Sequence, residues 1–126
     1  MKKCFLTLDL EEWYHLEYAR PYATAIDSQQ RFVPGVIPFL ERMAQEGIYM
    51  TVFVLGSIAD QNPGLVKQIC EMGHEIGCHG LNHDLVYHMS DRKFRDETTR
   101  ARDMISDAVG CAILGVFANI KVDHVE

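Results

Sequence analysis

The sequence predicts an α/β protein built on a parallel sheet, with about four strands alternating with helices, and three observations predict it. Apolar runs of strand length recur at residues 4–8, 51–55, 75–78 and 112–117. The segments between 34 and 47, 62 and 73, and 90 and 110 show helical apolar spacing or dense helix-forming charge. Those segments open on Pro or Ser and close on Gly, the usual punctuation of helices. Strand and helix signals that alternate in this way point to βαβ units, whose strands run parallel.

The first run, Cys4 to Leu8, is almost wholly apolar and ends at Asp9. It reads as a strand buried on both faces whose carboxyl end delivers acids to a crevice. Residues 11–31 are polar and aromatic with no clean period, as in a long, partly helical loop. Pro34 opens a helix with Val36, Ile37, Phe39, Leu40 and Met43 as its apolar stripe, closed by Gly47. Thr51–Leu55 is the second strand, with Gly56-Ser57 as a turn. A second helix starts near Asn62-Pro63, turns Leu65, Val66, Ile69 and Met72 inward, and stops at Gly73. Glu75–Cys78 forms a third strand running into His79. Ser90 is placed to cap a long charged helix ending at Gly110, and residues 112–117 form a fourth strand before a polar tail.

The chain has 126 residues and is 48% hydrophobic, which suits one domain with a core. A net charge of -6 argues against a nucleic-acid partner, since phosphate binding needs surplus Lys and Arg on one face. The basic start, Met1-Lys2-Lys3, is followed by too short an apolar run for export, and no later segment has the length of a membrane span. The expectation is a soluble, cytoplasmic protein. Its four cysteines, with no C-x-x-C pair, are expected to be buried free thiols.

Ligand groups of a parallel sheet gather at the carboxyl ends of its strands. Asp9 and Glu11 follow strand one, and His79 and His83 follow strand three, so both pairs should share one face. Two residues apart on an extended chain, Asp9 and Glu11 point the same way while Leu10 points into the core. Their mutual repulsion is offset if one binds a cation and the other stays free as a base. His79 and His83 are four apart, on a turn that Gly80 and Asn82 permit, and can reach one metal. Two imidazoles and a carboxylate form a facial site for a divalent metal, zinc first, with room for water. His74 precedes strand three and belongs at the opposite end. Trp13, Tyr14 and His15 follow the acids and could wall a pocket or stack on a sugar ring. The same ligand types suit an Fe(II) oxygenase, although such a sheet would be a β-sandwich, against the alternation here.

Taken together, Thr-Leu-Asp-Leu-Glu-Glu-Trp-Tyr-His at 7–15, Thr-Val-Phe-Val-Leu-Gly at 51–56 and Gly-His-Glu-Ile-Gly-Cys-His-Gly-Leu-Asn-His at 73–83 resemble the polysaccharide deacetylase family. The Asp-x-Glu form followed by Trp-Tyr-His looks most like the branch associated with bacterial exopolysaccharide loci. The resemblance implies a distorted (β/α) barrel, the NodB homology domain, that removes N- or O-linked acetyl groups with a metal-activated water. It implies Asp9 as general base, Glu11, His79 and His83 as metal ligands, and a carbohydrate or acetylated amide as substrate. The family's Arg-x-Pro motif and later strands have no match here, so the expectation is one C-terminally truncated domain over residues 1–126. Such a partial barrel leaves its last strand as an open edge that invites self-association, and its activity is in doubt. The alternative is a remnant that binds metal or sugar without turnover.

Overall fold

The computed structural model describes residues 4–23, 33–113 and 115. Three parallel strands, β1 (Thr7–Leu10), β2 (Thr51–Val54) and β3 (Glu75–Cys78), form a sheet in the order β1-β2-β3. Helix α1 (Val36–Gln45) connects β1 to β2, and α2 (Gly56–Gln61) and α3 (Pro63–Glu71) connect β2 to β3. Helix α4 (Asp91–Val109) follows β3. This is the α/β alternation read from the sequence, in the form of part of a barrel.

The register explains where the core lies. Leu8, Val52 and Ile76 are aligned across the strands, as are Leu10, Val54 and Cys78. These residues pack with Leu40, Ile58, Val66, Ile69, Ala101 and Ile105 from the helices. The alternate positions, Thr7, Asp9, Thr51, Phe53, Glu75 and Gly77, lie on the opposite face. There the Phe53 ring lies over Gly77, where a Cβ would come within 2.6 Å of it.

Several expectations need correction. Strand β1 begins three residues later than Cys4 and includes Asp9, because its partner β2 starts at Thr51, whose N–H donates to the Leu6 carbonyl at 3.0 Å. It is not buried on both faces: Phe5 is 86% exposed, and Thr7 and Asp9 are exposed. Phe39, assigned to the inner stripe of α1, is also exposed, while Leu40 is buried. Gly56-Ser57 is the start of α2 rather than a simple turn. The helical path then breaks at Asn62, whose extended φ of -136° suits the residue before Pro63. Of the four free cysteines only Cys78 is buried, since Cys4 precedes the paired part of β1 and Cys111 follows the end of α4.

The ends of α4 are as expected. Ser90 Oγ accepts from the Lys93 N–H at 3.2 Å, and Gly110 takes the left-handed conformation, φ 77°. The expected fourth strand lies partly outside the described residues. Within them, the Gly115 carbonyl accepts from the Cys78 N–H at 2.8 Å, beside β3. Residues 24–32 of the aromatic loop, and the tail beyond 117, lie outside the described residues.

Candidate metal centre

Strand β1 delivers the two acids. Leu10 is buried in the core, so its neighbours Asp9 and Glu11 project to the other side, as the two-residue period requires. The histidines arrive from β3. The His79 N–H donates to the Val54 carbonyl at 2.8 Å, which carries the strand pairing one residue further. The chain then turns through Gly80, φ 89°, and His83, φ 63°. The first N–H groups of α2 hold this turn: Gly56 donates to the Gly80 carbonyl at 2.9 Å and Ser57 to the Leu81 carbonyl at 3.1 Å. Helix α2, missed in the sequence, thus uses amides that its own helix cannot satisfy to fix the histidine loop.

The two sequence segments meet. Glu11, His79 and His83 each offer a ligand atom, and these atoms lie within 4.8 Å of one another. His83 Nε2 is 3.1 Å from Glu11 Oε2, and His79 Nε2 is 3.8 Å from Asp9 Oδ2. The two imidazoles are neighbours, with centroids 4.9 Å apart and planes tilted by 57°. His79 is almost wholly buried, whereas the Asp9 side chain is 41% exposed. The donors therefore sit inside and the prospective base at the rim.

Electrostatics match a cation site. Burial, and next the charge of Asp9, push the Glu11 carboxyl up to about 7. Burial, and next the neighbouring His79, lower His83 below its ordinary value, while a hydrogen bond to the backbone of His15 opposes that shift. Both groups thus resist the charged state in the absence of a cation. Glu11 Oε2 is buried and accepts no hydrogen bond, although it faces the His83 ring. A divalent cation would satisfy this oxygen and the imidazole nitrogens together, and two nitrogens with one carboxylate are a donor set that zinc accepts. The residues present fit such an ion.

The aromatic residues sit differently from one another. Trp13–His15 form a 3-10 turn in which Trp13 and Tyr14 are half-buried and meet edge to face, with ring centroids 5.7 Å apart. His15 is buried, and its Nδ1 accepts from the Glu12 N–H at 3.0 Å. Its ring therefore builds the loop rather than an open pocket wall. His74 lies at the other end of β3, where it accepts from the Met50 N–H and contacts the Leu40 carbonyl. Arg20 and the buried Glu12 were not singled out in the sequence. Glu12 accepts from the Val33 N–H at 3.2 Å, and Arg20 pairs with Asp84 at 2.7 Å. Both contacts span stretches with no periodicity to reveal them.

Comparison with known proteins agrees with this architecture. Residues 23–116 match the polysaccharide deacetylase family. A peptidoglycan-N-acetylglucosamine deacetylase, PgdA, of Listeria monocytogenes is 35% identical over 77 residues, 61% of this chain and 16% of that protein. Among solved structures, a family 4 carbohydrate esterase from Streptomyces lividans in complex with acetate superposes with a TM-score of 0.69 at 20% identity, covering 90% of this chain and 49% of that one. A family 4 pseudoenzyme from Bacillus anthracis gives 0.67 at 18% identity, covering 90% of this chain and 34% of that one. The chain thus spans less than half of each of these relatives. The family match begins after Asp9 and Glu11, so the acids rest on the geometry above and the histidine segment on both. With the family matched over three quarters of its length and the fold shared, the chain belongs to the polysaccharide deacetylase family.

Proposed function

We propose that this chain forms the metal-binding part of a hydrolase that removes acetyl groups from an amino sugar or polysaccharide. The observation that carries the reading is the convergence of Glu11, His79 and His83, with Asp9 beside them, at the carboxyl ends of β1 and β3. Glu11, His79 and His83 would hold a divalent cation, zinc first. When bound, such an ion supplies Lewis-acid activation of water and of the acetyl carbonyl. Asp9, at the rim, would take the proton from the attacking water. His79 Nε2, 3.8 Å from Asp9 Oδ2, sets the base beside the ligand set. Trp13 and Tyr14 offer apolar surface on which a sugar ring could stack, while His15 holds their turn in place. Peptidoglycan-type amino sugars are the first substrates to try, since the Listeria relative's name specifies N-acetylglucosamine.

The test combines metal content with acetate release from acetylated chito-oligosaccharides. About one zinc per chain is expected in the wild type, with His79→Ala and His83→Ala losing it. Asp9→Asn should keep the metal and lower acetate release by about 10²- to 10⁴-fold. Acetate release that persists after chelation contradicts the mechanism. Metal retained without any turnover supports instead a non-catalytic metal- or sugar-binding protein, a reading favoured by the exposure of Asp9 on an open sheet face.

A further inference from the structure

Arg20 lies outside the ligand set, yet its side chain reaches residues on both sides of His83 and the carbonyl of His15. Its Nη1 donates to Asp84 Oδ1 at 2.7 Å, its Nη2 to the Asn82 carbonyl at 2.6 Å and its Nε to the His15 carbonyl at 3.3 Å. Asn82 and Asp84 flank His83 on either side, and the backbone of His15 also hydrogen-bonds the His83 imidazole. One planar guanidinium thus ties the aromatic turn to the histidine loop at both neighbours of the ligand. His83 itself sits at φ 63°, where a non-glycine residue remains only if its surroundings hold it. Asp84 is also 3.7 Å from Lys93 Nζ, which anchors the far side of the clamp to α4.

We propose that Arg20 is a positioning residue for metal binding: its three-way fork holds the 82–84 backbone and the His15 carbonyl so that the His83 ring meets Glu11. The inference rests on the metal-site reading above. It concerns geometry rather than charge, because a guanidinium presents donors in a fixed fork and an ammonium does not. Outer partners of metal ligands commonly contribute about 10- to 100-fold in metal affinity.

The experiment measures zinc affinity by chelator competition, and the absorption spectrum of the cobalt-substituted protein, for wild type, Arg20→Ala, Arg20→Lys and Asp84→Asn. Circular dichroism reports whether each variant is folded. Arg20→Ala is expected to lose about 10- to 100-fold in affinity with an altered cobalt spectrum. Arg20→Lys should fall with it, and Asp84→Asn should lose less, since two of the three anchors remain. Arg42→Ala, which removes only an exposed pair with Glu46, serves as the control and should bind as wild type does. A folded Arg20→Ala with wild-type affinity and spectrum overturns the proposal. So does full rescue by Arg20→Lys, which would reduce the role to charge. A wild type that binds neither zinc nor cobalt instead overturns the metal-site reading, and this inference with it.

Discussion

Glu11 is buried beside Asp9, and in the metal-free protein that position has a pH signature. Its carboxyl titrates at 4.5 when unperturbed and at about 7 in the folded chain. Between those values the folded state binds more protons than the unfolded one, so this group's contribution to stability falls as pH rises. Glu11→Gln removes the ionisation. The variant should match wild type below 4.5 and become the more stable of the two above about 7 in denaturant titrations without metal. Equal stabilities across that range would contradict the burial of Glu11. Adding Zn²⁺ above about 7 should reverse the order, because only the wild type keeps the carboxylate ligand. At this scale the spacing was legible: Asp9 lies within β1, Glu11 just after it and His79 just after β3, and the three converge with His83. Arg20 was not legible, since its partner Asp84 is 64 positions away and an exposed Arg in an aperiodic loop looks like any other.

The strands and helices were legible where periodicity and punctuation agree, as in β2, β3, α3 and α4. They were misread where a tertiary partner decides. The extent of β1 is set by β2, which shifts the strand to include Asp9. Helix α2 begins at a glycine that looks like a turn signal but is there for packing, since a Cβ at Gly56 would lie 2.7 Å from the Ala101 Cα of α4. Gly56→Ala should therefore destabilise by about 1 to 3 kcal/mol through overpacking, despite its better helix propensity. Gly64 of α3 has open space around it. There the same substitution should stabilise by about 0.5 to 1 kcal/mol. Urea midpoints of both variants check the contrast, and a Gly56→Ala protein as stable as wild type would show that α2 and α4 are further apart than described. Because Gly56 also donates to the Gly80 carbonyl, the destabilised variant should bind zinc more weakly as well.

At the scale of the molecule, the buried side chains of the sheet meet the helices, while Thr51, Phe53, Glu75 and Asp9 lie on the opposite face. Strand β1 pairs only with β2 among the described residues, and Phe5 and Leu6 beside it are exposed. An edge of this kind is a template for pairing with another chain. Sedimentation of the 14.4 kDa chain should show a mass that rises with concentration, and Leu6→Lys should suppress the rise. A constant monomer mass at all concentrations would rule this out. The sequence placed the open edge at the last strand, which lies partly outside the described residues; the edge at β1 was not read, because strand order is a long-range property. The described edge is β1, the strand that supplies both acids.

The proposed ligands come from β1 and β3, which β2 separates, and no ligand comes from β2 itself. A cation held by Glu11 and His79 would therefore act as a reversible staple, closing a long loop of chain across the middle strand. Closing such a loop restricts the unfolded ensemble much as a cross-link does. Removing the ion should then loosen the fold from one side, with β1 detaching first and faster amide exchange at Thr7–Leu10 than at Thr51–Val54. Chelation would thus release the acid-bearing strand as well as the ion, and reloading would depend on refolding an edge.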